Sequence, residues 1–324
     1  MSQIGINRNS PDKWKQDIVQ SVDLYNSWFM MFAPAAFRKT RLETAKRVEQ
    51  TLKVTNNFTD LSIELLKKHP EVLPTLRMST CPPIARDRLV GLAGASKTLV
   101  ESMENMSNPR VPPRIPADRI NNDLARICRV IEKMIDPDIF IWLGRKEAAT
   151  ETEIFRASTI VADRLCGAVS DPIIRNAQEE RQLKAIGDWL QLRRYRCVEG
   201  VKFDSMEAGT YSFRTNIPVS IDNGTNPTRI NIPIDVVIMP AESKEGELPL
   251  LIEAKSAGDF TNVNKRRKEE AHKMAQLKNT YGTDIRFGLF LCGYFDSGYL
   301  GYEAAEGIDW VWEHRIDDFT SYGL

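Results

Sequence analysis

The chain has 324 residues, of which 42% are hydrophobic and 27% charged, ordinary proportions for a protein that buries a core and unlike those of a disordered chain. Its 44 basic and 44 acidic residues cancel, so total charge neither demands nor excludes a nucleic-acid partner and local clustering has to decide. No apolar run approaches the roughly 20 residues of a membrane span, and the N-terminus MSQIGINRNSPDKWKQ lacks the charged start and apolar centre of a signal peptide, which implies a cytoplasmic protein with no membrane partner.

The first 110 residues read mainly as helix. Apolar residues recur at spacings of three and four from about residue 13 to 32, and again through RKTRLETAKRVEQTLKVTNNFTDLSIELLKKHP. Pro70 and Pro74 close that section, and a helix restarts after Pro83. The stretch SNPRVPPRIPADR carries four prolines and predicts an irregular linker, followed by a helix from about 118 to 134. Cys81, Cys128, Cys166, Cys197 and Cys292 are scattered, odd in number and without a CxxC pair, which predicts reduced thiols rather than a disulfide or zinc framework. His69, His272 and His314 show no metal-ligand spacing.

After about residue 150 the pattern changes, dividing the chain into a mainly helical region (1–150) and a second domain (151–324). A helix over TETEIFRASTIVADRLCGA is followed by another that Pro172 is expected to open, with Ser170 or Asp171 as its cap. Strand-like runs come next: YRCVEGVKF, TYSFRTNIPVSI, RINIPIDVVIM and LPLLIEAK. A long helix over about 264–280 stops at Gly282, and IRFGLFLCGYF has the continuous apolar character of a strand covered on both faces. Strand, helix, strand between 249 and 292 implies a right-handed crossover and parallel pairing, while the short connection PAESKEGEL makes the preceding pair antiparallel. The predicted fold is therefore α/β (α+β), a mixed central sheet flanked by helices. The aromatic tail with Trp310 and Trp312 is expected to pack on the sheet or a partner.

Charges interrupt the apolar strands at Asp235, Glu253 and Lys255. Strand alternation points Glu253 and Lys255 one way and Leu250, Ile252 and Ala254 the other. In the preceding run Ile234, Val236 and Ile238 share one face, and Asp235 falls opposite with Val237. If the strands are neighbours, Asp235 faces the same space as Glu253 and Lys255. Two carboxylates so close repel unless a cation lies between them, and Mg²⁺, a hard ion taking one or two carboxylates with water and substrate phosphate, suits the position. The bland alternative is an exposed pair on a half-solvated strand. On the helix of 172–192, Leu183, Ile186 and Leu190 form an apolar stripe with Glu179 at its centre, which makes Glu179 a candidate outer metal ligand.

This arrangement resembles the PD-(D/E)xK nucleases, with Asp235 as first acid and Glu253-Ala254-Lys255 as the ExK element, although the proline stands two residues before the acid, in Pro233-Ile234-Asp235. The strings IRNAQEERQL, LIEAKSAGDFTNVNKRRKEEAHK and LCGYFDSGYLGYEAAEGIDWVWEHRIDDF are similar to the XamI group of type II restriction endonucleases. The resemblance implies hydrolysis of double-stranded DNA at a short palindrome, GTCGAC being the first site to try. Mg²⁺ would be the cofactor, with Mn²⁺ as a substitute, the catalytic residues Asp235, Glu253 and Lys255, and the metal ligands Asp235, Glu253 and Glu179. A palindrome implies a homodimer, and a restriction enzyme implies a cognate DNA methyltransferase. Asn262, Asn264, Lys265, Arg266 and Arg267 then become candidate DNA contacts, and the N-terminal helices a DNA clasp or dimerisation region. The competing readings are a structure-specific repair or junction nuclease and a non-catalytic DNA-binding protein on the same fold.

Overall fold

Pro11, whose missing N–H is no loss at a first helical position, opens helix α1 (Pro11–Val54). The computed structural model describes residues 5–222, 227–261 and 263–324, the backbone alone at 221, 222, 227 and 263–267. The chain divides into two compact units, one of residues 1–32 with 175–324 and the other of residues 33–174. Two long helices pass through both, α1 and α7 (Glu151–Leu192), and each division falls within three residues of an intrahelical proline, Pro34 or Pro172. Pro172 thus lies inside a continuous helix and does not open a new one, correcting the expectation above. One missing N–H removes a single turn bond, while the helix buries Leu165 and Cys166 before it and Leu183 and Ile186 after it.

The unit of residues 33–174 is helical. After α1, three successive left-handed residues, Asn56, Asn57 and Phe58, turn the chain and interrupt the helical spacing that runs through RKTRLETAKRVEQTLKVTNNFTDLSIELLKKHP. The remaining helices are α2 (Ile63–Lys68), α3 (Leu73–Met78), α4 (Arg86–Ala93), α5 (Lys97–Met103) and α6 (Ala117–Met134). Gly94, at φ +57°, ends α4. Helix α6 sets Ile120, Leu124, Ile127 and Ile131 at helical spacing into a core shared with Leu73, Leu89 and Leu99. Arg77 and Glu104, both nearly buried, form a bidentate pair at 2.5 and 2.7 Å.

The other unit is built on a mixed six-stranded sheet in the order β1 (Arg196–Cys197), β2 (Thr210–Asp222), β3 (Pro227–Met239), β4 (Leu250–Ala257), β5 (Arg286–Gly293) and β6 (Asp309–Trp312). β2–β3 and β3–β4 are antiparallel, whereas β4–β5 and β5–β6 are parallel. The parallel pairs are bridged by α8 (Val263–Tyr281) and α9 (Ser297–Ala305), the two βαβ crossovers that parallel pairing requires. The strand expected over YRCVEGVKF shrinks to two residues paired in parallel with β2. The aromatic tail supplies β6, whose Trp310 and Trp312 are fully buried.

One face of the sheet packs Val236, Ile238, Leu250 and Ile252 against Leu183 and Ile186 of α7. The other gathers Val237, Leu251, Leu289 and Leu291 with Met274 and Leu277 of α8 and Tyr299 of α9. Ile234, expected beside Val236 and Ile238, packs in this second cluster, as do Ile232, Ile217 and Val219. The long β2–β3 hairpin therefore changes the face it buries at the level of Asp235. There Arg214, flanked by the pairs Phe213↔Val236 and Thr215↔Ile234, takes φ +50°. A left-handed residue within a strand reorients the side chains beyond it, which strict alternation cannot anticipate.

Candidate active site

Val236 pairs with Ile252 and Val237 with Leu251, and this register carried one step further sets Asp235 opposite Glu253. One Asp235 carboxylate oxygen accepts the Ala254 N–H at 2.8 Å, which fixes the acid against β4. Glu253 is 2% exposed. Its Oε1 lies 2.5 Å from Lys273 Nζ, and its Oε2 lies 3.0 Å from Lys255 Nζ. Lys273 also donates to the Pro233 carbonyl at 3.1 Å, and so ties α8 to β3 beside the acids. Lys255 Nζ stands 4.0 Å from Oε1 of the buried Glu270 on α8, whose Oε2 accepts the Tyr299 hydroxyl at 2.8 Å. From the opposite face, Gln182 of α7 donates to the carbonyls of Lys255 at 3.2 Å and Phe290 at 3.3 Å. Its amide thereby locks the Lys255 backbone to β5.

The electrostatics follow from this crowding. Burial, reinforced by Glu253, pushes the Asp235 carboxyl up from 3.8 to about 6. Burial by itself would lower the Lys255 ammonium, but Glu253 and Glu270 outweigh it and its pKa is raised. Lys255 is therefore a fixed cation at neutral pH. Asp235, Glu253 and Glu270 bring three carboxylates against the two ammonium groups of Lys255 and Lys273, which leaves one negative charge when all are ionised.

Among the described residues no group of three or more His, Cys, Asp or Glu is arranged to hold a metal. The facing carboxylates of Asp235 and Glu253 offer two hard oxygen donors with excess negative charge. That donor set fits Mg²⁺, which completes its shell with water and substrate phosphate.

The structure thus brings Asp235, Glu253 and Lys255 together. Glu179 lies elsewhere in its contacts. It is 40% exposed and pairs with Arg214 at 2.9 Å, the residue that stands across from Asp235 in β2. Asn262 lies outside the described residues, and Asn264, Lys265, Arg266 and Arg267 occupy the opening turns of α8, where only the backbone is described. Sequence reasoning missed Gln182, Glu270, Lys273 and Tyr299. A signal for Glu270 existed, because it continues the Met274 and Leu277 stripe of α8 at helical spacing, and a carboxylate on a buried stripe needs a partner.

Comparison with known proteins gives the family. A family model described as XamI restriction endonuclease matches residues 56–312. The Type II restriction enzyme SalI of Streptomyces albus G is 51% identical over 321 residues, covering 98% of this chain and 99% of that protein. Protein VC1899 from Vibrio cholerae has a crystal structure that aligns with a TM-score of 0.25 at 12% identity, over 85% of this chain and 55% of that one, a likeness too slight to use. With a family model spanning most of its length and a relative identical at half its positions, the chain belongs to the XamI restriction endonuclease family.

Proposed function

We propose that this protein is a type II restriction endonuclease that hydrolyses phosphodiester bonds of double-stranded DNA at a short palindrome, GTCGAC, with Mg²⁺ as cofactor. The observation that carries this reading is the convergence of Asp235, Glu253 and Lys255 at adjoining strands in a chain of this family. Asp235 and Glu253 would hold the ion. When bound, Mg²⁺ polarises a phosphoryl oxygen and makes a bound water more acidic. Lys255, kept protonated by its two acidic neighbours, supplies positive charge to the attacked phosphate and orients the attacking water. Lys273 balances Glu253 until the ion and the DNA arrive. Mn²⁺, with similar oxygen preference, is expected to substitute.

The opening turns of α8, with Asn264, Lys265, Arg266 and Arg267, follow β4 directly, so these residues and Asn262 are proposed to hold phosphates and read base edges. A two-fold symmetric site implies a homodimer, placed with its methyltransferase in the cytoplasm, where the DNA is. Among the described residues no helix is long and apolar enough to cross a membrane. The Arg214 contact leaves Glu179 the weakest of the proposed ligands.

The test is digestion of unmethylated plasmid carrying GTCGAC, in Mg²⁺ or EDTA, by the wild type and Glu253→Ala. Discrete fragments that require Mg²⁺ and vanish in the variant are expected, with ends mapping to the palindrome. Discrete fragments ending elsewhere would reject the site alone. A smear would favour a nuclease that reads DNA shape, and tight binding without cleavage in Mg²⁺ or Mn²⁺ would reject the catalytic reading.

A further inference from the structure

Within the helical unit of residues 33–174, one side of α6 carries Arg119, Asn122, Arg126, Arg129 and Lys133. Steps of three and four keep all five on one stripe. Two adjoining concavities run beside it. The larger, about 610 Å³, is lined by the Gly94–Ser96 turn together with Arg119, Asn122, Arg126 and Arg129. The smaller, about 220 Å³, shares Arg126 and Arg129 and extends to Lys133 and Leu92. Arg119, Arg129 and Lys133 are exposed, and none forms an ion pair among the described residues. Arg126 is half-buried against Asp123, yet its Nε finds no hydrogen-bond partner among the described residues. Two acids line the groove. Asp123 is 2% exposed and occupied by Arg126 and the Ser96 N–H, and Asp118 is exposed. Four cations therefore face two carboxylates, one of them already neutralised.

We infer that this groove is a second DNA-contact surface, separate from the acidic centre on the sheet, which grips the phosphate backbone of the duplex without reading sequence. The inference rests on the proposed function. From Arg119 to Lys133 the stripe runs about 21 Å at about 1.5 Å per residue, a length along which one strand of B-form DNA presents about six phosphates. Guanidinium and ammonium groups at that spacing, three of them without an ion pair among the described residues, match a polyanion. An apolar or basic partner would leave them unpaired. A backbone grip of this kind raises affinity for all duplexes equally and leaves the choice of site to residues elsewhere.

The test uses the full chain and duplexes of about 20 base pairs, with and without GTCGAC, in Ca²⁺ so that binding is read without cleavage. The wild type is compared with a triple variant, Arg119→Gln, Arg129→Gln and Lys133→Gln. All three positions are exposed and form no ion pair among the described residues, Arg129 donating only to the Ala125 carbonyl of its own helix at 3.3 Å, and unchanged thermal unfolding confirms the fold. Neutralising three phosphate contacts should flatten the slope of log K against log salt by about 2.7 for both duplexes. Between about 50 and about 200 mM salt the wild type should then lose about 40-fold more affinity than the variant. An unchanged slope, with the wild type binding normally, overturns the groove alone. An unchanged slope with a variant that sediments as a smaller species without DNA assigns the face to protein contact, and overturns it too. A wild type that binds neither duplex overturns the restriction reading and this inference with it.

Discussion

Replacing Asp235 by Asn is expected to stabilise the metal-free protein at neutral pH while abolishing cleavage. Asp235 is partly buried against Glu253, and its carboxyl titrates at about 6 in place of 3.8. At about 1.4 kcal/mol per unit, the ionised group costs the folded state roughly 3 kcal/mol. Because the folded-state value is raised, this penalty is absent below about pH 4, grows between about 4 and 6, and is complete above that range. Asn keeps an oxygen for the Ala254 N–H, resembles the protonated acid in shape and carries no charge. The variant should match the wild type near pH 4 and exceed it by about 3 kcal/mol near pH 7.5. For a unit of this size that is a rise of about 6–12 °C in melting temperature. Thermal unfolding in EDTA across this pH range is the assay. Mg²⁺ should then raise the wild-type midpoint and leave that of the variant unmoved. Equal offsets at both pH values, or a variant less stable at pH 7.5, would refute the argument that burial, reinforced by the Glu253 carboxylate, penalises the ionised Asp235.

Three further outcomes are expected. Lys273→Met removes one of the two ammonium groups on the buried Glu253. It should lower metal-free stability by about 1–3 kcal/mol and enlarge the melting-temperature rise on adding Mg²⁺, because Glu253 Oε1 is no longer shared; an identical Mg²⁺ response in both proteins would show that Lys273 and the ion do not compete. Gly293→Ala should lose about 3 kcal/mol or more in urea unfolding, since the residue sits at φ +102° and an added Cβ would lie 2.1 Å from the Ala257 carbonyl oxygen. Glu104→Gln should destabilise the helical unit by about 3 kcal/mol, read from denaturant midpoints, because Arg77 would be left with its charge uncompensated at 10% exposure.

Much of the sheet that carries the candidate site was legible before folding because its signals are local. Alternation along 250–257, an apolar run at 286–293 and a helical stretch between them determine a βαβ crossover and parallel pairing. Asp235, Glu253 and Lys255 stood out since charge in an otherwise apolar strand demands a partner. Pairwise register is another matter. That Asp235 faces Glu253 depends on how β3 lies against β4, and the hairpin connection suggested their neighbourhood without stating the register. The change of buried face at Asp235 and the left-handed Arg214 across from it express the curl of the sheet, which no two-residue period encodes.

The sequence by itself determined most of the helices and strands, the antiparallel sense of β3–β4, the parallel sense of β4–β5 and three acidic and basic residues of the candidate site. Only the tertiary structure decided what surrounds them. Lys273 and Glu270 reach Glu253 and Lys255 because the crossover lays α8 over β3 and β4, and Gln182 reaches the Lys255 carbonyl from the opposite face. Likewise Pro172 lies within one continuous helix because apolar burial on either side of it offsets one absent hydrogen bond. Propensity and periodicity act between neighbours in the chain. The site's charge balance is set by groups distant in sequence that packing alone brings within 4.0 Å.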